Sequence, residues 1–151
     1  MDVKLKQCFI AVDDHDKALA FYRDVLGLEV RNDVGFENMR WVTLGSPLQP
    51  DVEIVLEPPG ANPDASPADR QAMAELLAKG MLRGVIFSTT DCDALYERVR
   101  EHGGDVIQEP MDQHWGVRDC AFRDPAGNML RFLQRPAGPP PGRWPVDPEA
   151  G

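Results

Sequence analysis

Hydrophobic and polar positions alternate from Lys4 to Val12: Cys8, Ile10 and Val12 share one face, and Gln7, Phe9 and Ala11 share the other. That period of two marks a strand with one face buried. Asp13-Asp14 then offers a helix N-cap, and Ala18, Leu19, Phe21, Tyr22, Val25 and Leu26 recur near a 3.6-residue period until Gly27 supplies the C-cap. Strands follow over Leu28 to Asn32, Phe36 to Leu44 and Val52 to Leu56, with Gly45 to Asp51 as a turn region. The first part of the chain therefore reads β-α-β-β-β.

Glu57 to Pro67 has the composition of a loop. Ser66, Pro67 and Asp69 form a helix start, with a capping hydroxyl, a first-turn proline and a carboxylate near the free amides. The connector helix runs to Lys79 with Met73, Leu76 and Leu77 on one side, and Gly80 ends it. Leu82 to Thr89 is again a strand. Thr90 or Asp91 caps a second long helix, which Gly103-Gly104 terminates. Asp105 to Gln108, a loop at Pro110, and strands over Val117 to Phe122 and Met129 to Gln134 complete a second β-α-β-β-β. Between the last two strands lies Asp124-Pro125-Ala126-Gly127-Asn128, a hairpin turn by its chemistry: proline fixes φ, glycine accepts φ > 0, and Asp and Asn bond back to the backbone.

Adding 77 to a residue number maps one half onto the other: Asp14 falls on Asp91, Asp16 on Asp93, Gly27 on Gly104, Val30 on Ile107, Ile10 on Phe87 and Leu56 on Leu133. This is an internal duplication. The expected fold is α+β, two tandem βαβββ modules forming a cupped, mostly antiparallel half-barrel with helices outside. Module one covers 4–57, the connector helix 66–80 and module two 82–134, all within a single domain at 1–135. The remainder, 136–151, is rich in proline and poor in apolar residues, and is expected to be a flexible tail.

With 151 residues, 42% hydrophobic and 27% charged, the chain is long enough for a sizeable core and ordinary for a globular protein. A net charge of −9 argues against nucleic acid as a partner, and no apolar run is long enough for a membrane span. The N-terminus lacks a secretory pattern, and Cys8, Cys92 and Cys120 show no paired spacing, so free thiols in a cytoplasmic protein are expected.

The first strand before Asp13-Asp14, the run Ala18-Leu19-Ala20-Phe21-Tyr22-Arg23-Asp24-Val25-Leu26-Gly27-Leu28, the duplication and the Phe122-Arg123-Asp124-Pro125-Ala126-Gly127-Asn128 hairpin together resemble the vicinal oxygen chelate superfamily of glyoxalases, bleomycin-resistance proteins and extradiol dioxygenases. The resemblance spans Lys4 to Gln134. It implies the cupped fold, frequent homodimers, and in the enzymes a divalent metal held from the first and last strand of each module. Those ligand positions fall on Gln7, Ile54, Gly84 and Arg131, or on Glu53 in place of Ile54 if the register is off by one. Isoleucine and glycine have no donor atom and arginine is a permanent cation, so no metal and no other cofactor is expected.

The implied site is an apolar cup with ligand contacts at Gln7, Phe9, Trp41, Ile54, Ile86, His114, Trp115, Arg131 and Leu133. Arg131 suits a carboxylate, phosphate or enolate oxygen, or alternatively an internal carboxylate, Glu53, Glu57 or Asp119. The expected function is metal-independent small-molecule binding of the glyoxalase/bleomycin-resistance type, by a homodimer. The alternatives are two. One is a lyase, isomerase or dioxygenase-like enzyme using a non-equivalent metal site or acid–base chemistry by His114 and Arg131. The other is an accessory protein whose cup is filled.

Overall fold

The computed structural model describes residues 1–82 and 84–135. The tail expected at 136–151 lies outside the described residues. Module one comprises β1 (Gln7–Ala11), α1 (His15–Leu19), a π-helical continuation (Ala20–Val25), β2 (Glu29–Phe36), β3 (Met39–Gly45) and β4 (Glu53–Glu57). The connector is α2 (Pro67–Ala78), and module two comprises β5 (Ile86–Ser88), α3 (Cys92–Glu101), β6 (Asp105–Asp112), β7 (Arg118–Arg123) and β8 (Met129–Gln134). Each module forms its own four-stranded mixed sheet, in the orders β1-β4-β3-β2 and β5-β8-β7-β6. The first strand runs parallel to the last in each, and the other pairs are antiparallel. The α+β fold of two repeated βαβββ modules is thus as expected, with sheets that do not close.

Some boundaries differ from expectation. Phe36 ends β2 rather than opening β3, because the reversal sits at Glu37, whose φ is 55°, before Met39. Pro110 lies inside β6 rather than in a loop. A register shift between Gln108 and Met111 lets the strand pass a residue that has no N–H to give. On α2 only Leu77 is buried, while Met73 and Leu76 are exposed, so the helix rests on a narrower stripe than the sequence suggested. Its N-terminus is a capping box: Ser66 Oγ accepts from Asp69 N at 3.1 Å and Asp69 Oδ2 accepts from Ser66 N at 2.9 Å. Ser66→Ala should lower the unfolding free energy by about 1 kcal/mol, measured by urea denaturation.

The two helices begin alike. Asp14 accepts from Lys17 N and Asp91 from Ala94 N, each at 3.0 Å. They end differently. In module one the last turn widens, with Leu26 N donating to Phe21 O at 3.0 Å, and takes up one additional residue. The left-handed glycine that ends each helix is therefore Gly27 in module one and Gly103 in module two, 76 apart. Past that turn the expected offset of 77 is corrected. Val30 matches Val106, because both strands shift register at that point, and Val55 matches Arg131, because each lies opposite an equivalent residue of the first strand, Phe9 and Ile86.

The core lies on the helix side of both sheets. Ile10, Val12, Val42, Leu44, Ile54 and Leu56 of module one join Cys120, Phe122, Leu130 and Phe132 of module two in one buried cluster with Tyr22, Val25 and Val99. Polar contacts tie the modules on this same side. Tyr22 donates to Asp124 Oδ2 at 2.5 Å, and Asn128 Nδ2 donates to Ala11 O at 2.7 Å. Arg98 Nε and Nη2 donate to the carbonyls of Val25 and Asp24 at 2.6 and 2.9 Å, closing the end of the π turn. The hairpin turn of module two is thus also a docking piece for module one. Its Asp124 Oδ1 collects the amides of Ala126, Gly127 and Asn128.

Candidate functional site

Strand alternation leaves the opposite face of each sheet free of helices. In module one that face carries Gln7 and Phe9 from β1, Trp41 and Thr43 from β3, and Glu53 and Val55 from β4. Ile54 points the other way, into the core, and is only 6% exposed. Its expected place among the ligand contacts is corrected: in the true register the equivalent of Arg131 is Val55. Phe9, Trp41 and Ile86 are 56%, 42% and 65% exposed, so this chain presents both faces to solvent. Thr43 Oγ1 is buried on the module-one face and meets no hydrogen-bond partner among the described residues.

The module-two face is built around Arg131. Its Nη1 donates to Asp119 Oδ2 at 3.1 Å and to Gln108 Oε1 at 3.0 Å. The same Asp119 accepts on Oδ1 from Gln108 Nε2 at 2.7 Å and from Gln113 Nε2 at 2.9 Å. Of the three internal carboxylates open to Arg131 in the sequence, the structure selects Asp119. Its side chain is 2% exposed against 27% for Arg131. Desolvation pushes its carboxyl upward, but Gln113, Gln108 and the Arg131 guanidinium outweigh it and hold the group below the usual carboxylate range. A lowered folded-state value stabilises the fold above the unfolded aspartate range, near ~3.9. The contribution is lost as pH falls through the lower folded-state value. Asp119→Asn should therefore destabilise the protein at pH 7 and flatten the acid limb of a stability-against-pH curve, read by thermal melts.

Gln108 and Gln113 were missed in the sequence. The available signal was Gln108 at the end of the expected strand Asp105 to Gln108, one strand away from Asp119, whereas Gln113 falls in the segment whose proline suggests a loop. His114 and Trp115 occupy the turn from β6 to β7, with ring centroids 4.8 Å apart and planes at 83°. Trp115 is His114's one side-chain partner among the described residues, and nothing joins His114 to Arg131. Leu133 lies two places beyond Arg131 on β8, on the same face. A cleft of about 780 Å³ opens where the modules meet, lined by Leu26, Leu28, Leu48, Ile86, Leu95 and Leu133, among others. Of the expected contacts only Ile86 and Leu133 reach it; Arg131 does not line it.

The positions that hold metal in the superfamily's enzymes do not fit one here. Gln7 Nε2 is bound to Glu53 Oε2 at 2.9 Å. A Cβ at Gly84 would meet the Met129 carbonyl oxygen at 1.7 Å, which closes that position to any side chain. Val55 has no donor, and Arg131 brings a positive charge. Among the described residues, no three His, Cys, Asp or Glu side chains gather as a metal site requires. Cys92 and Cys120 meet with their sulfurs 3.0 Å apart inside the core, and burial pushes both thiols upward, away from thiolate chemistry.

Paired βαβββ modules with helices on one side and open sheet faces on the other define the class, and the chain belongs to it: residues 4–132 match the model of the glyoxalase/bleomycin resistance protein/dioxygenase superfamily. Among solved structures the chain resembles UcmS2, with 35% identity and a TM-score of 0.78 over 88% of this chain and 98% of that one. It also resembles TnmS3, an antibiotic binding protein from Streptomyces sp. CB03234, with 27% identity and a TM-score of 0.69 over 89% and 98%. The uncharacterized protein YurT of Bacillus subtilis (strain 168) is 31% identical over 134 residues, which is 88% of this chain and all of YurT. No helix among the described residues is long and apolar enough to cross a membrane.

Proposed function

We propose that this chain is a small-molecule-binding protein that works without a metal or other cofactor. Its ligand rests on the open sheet faces beside Arg131. The observation that carries this reading is the replacement of the metal-holding positions by a closed glycine, a valine and a braced arginine. The likeness to TnmS3, an antibiotic binding protein, supports the same class of ligand. Exposed Phe9, Trp41, Ile86 and Trp115 supply the apolar and aromatic surface such a molecule needs.

Because the contacts between modules run through the helix side, one chain does not fold its two open faces against each other. A second copy, pairing its module two over this chain's module one, would cover them and make two shared cups. Sedimentation should give a dimer at micromolar concentration. Binding is tested by screening small aromatic molecules for a rise in melting temperature and for quenching of Trp41 and Trp115 fluorescence, with metal content measured on the dialysed protein. Stoichiometric zinc, nickel, manganese or iron would overturn the metal-free reading. The acid–base enzyme considered from the sequence needs His114 beside Arg131, a contact that is absent among the described residues.

A further inference from the structure

Three arginines on the surface of this protein grip carboxylates in the same way. Arg23 spans Asp24 with Nε and Nη2 at 2.8 and 3.2 Å, Arg40 spans Asp33 at 2.8 and 2.7 Å, and Arg118 spans Asp93 at 2.8 and 2.8 Å. The Nε and Nη2 hydrogens point in parallel and match the two oxygens of a carboxylate. Arg40 and Arg118 go further and use the remaining nitrogen, Nη1, for a second acid: Asp16 at 2.8 Å and Asp112 at 3.2 Å. One guanidinium holding two carboxylates is thus a repeated arrangement here.

Arg131 is half of that arrangement. Its Nη1 holds Asp119, and its Nε and Nη2 meet no acceptor among the described residues. The guanidinium is also fixed in place: Asp119 is buried, both of its oxygens are occupied, and Gln108 bridges acid and arginine. The two-donor edge is therefore held ready on the open face, which lowers the ordering cost of filling it.

Resting on the small-molecule reading above, we propose that the ligand carries a carboxylate, which docks on the Nε and Nη2 edge of Arg131 while its apolar body lies on the surrounding sheet face. The carboxylate completes a third two-acid arginine, and Asp119 serves as a positioning residue that aims the edge. Arg40 and Arg118 show that the first acid on Nη1 does not bar a second on the far edge.

The test is titration calorimetry of the full-length protein at neutral pH with naphthoate, with the uncharged naphthamide, and with naphthyl phosphate. Naphthoate should bind about ten- to hundredfold more tightly than naphthamide, the range for hydrogen bonds to a charged group. Arg131→Lys, which keeps the charge but offers no two-donor edge, should cut that preference severalfold, mainly by weakening naphthoate. Equal affinity for acid and amide in the wild-type protein, or a preference undiminished by Arg131→Lys, overturns the assignment. So does naphthyl phosphate binding more tightly than naphthoate. If naphthamide binds and naphthoate gains nothing, the carboxylate assignment falls and the small-molecule reading stands; if none of the three binds, both fall.

Discussion

Asp124→Ala is expected to remove about 3–5 kcal/mol of stability and to lower the melting temperature by roughly 10 °C or more. The carboxylate is 5% exposed and accepts from Tyr22 Oη, the amides of Ala126, Gly127 and Asn128, and Asn128 Nδ2. Alanine leaves those donors buried without their acceptor, and each such loss costs about 1–3 kcal/mol when no other partner is within reach. It also loosens the β7–β8 turn from module one, since Tyr22 bonds this group directly and Asn128, which reaches Ala11 O, is held by it. Tyr22→Phe should cost less, about 1–2 kcal/mol, because Asp124 keeps its four nitrogen donors. A double-mutant cycle by chemical denaturation separates the two contributions. An Asp124→Ala protein within 1 kcal/mol of wild type would show that the turn is not what joins the modules.

Arg131→Leu should have the second-largest effect, about 3 kcal/mol at pH 7, because it strands a buried carboxylate with only amide donors. The penalty has a pH signature. It is full while Asp119 is ionised and shrinks in acid, once the carboxyl takes a proton. Adding Asp119→Leu should recover much of the loss, since removing both charges of a buried pair is far cheaper than removing one. Equilibrium unfolding of the single and double variants at pH 7 and pH 4.5 distinguishes this from simple loss of packing, which would be insensitive to pH.

The duplication was readable because caps and alternation are local. Asp14 and Asp91 cap helices wherever the modules sit, and strands with one buried face announce themselves in pairs of residues. The hairpin at Asp124 was readable for the same reason, but its burial against Tyr22 was not, because that contact joins residues 102 apart. Ile54 was misplaced because one additional residue in the π turn shifts every later comparison between modules. A widened turn leaves the apolar stripe of Phe21, Tyr22 and Val25 looking like an ordinary helix. Arg131 was legible as a charge in an apolar strand, and Asp119 as one of three candidate partners. Of the glutamines that fix the pair, Gln113 was hidden by Pro110, which suggests a loop on composition and sits in a strand bulge in fact, and Gln108 ended an expected strand whose partner across the sheet no local pattern names.

The wider turn also marks where the two copies of the duplicated unit ceased to be interchangeable. Tyr22 reaches from module one to the hairpin of module two, and Arg98 reaches from module two to the helix end of module one. These are unlike contacts made by unlike residues, so the equivalence of the two copies is only approximate. Transplanting one module into the place of the other would mismatch the seam, and each half has become committed to its position in the chain.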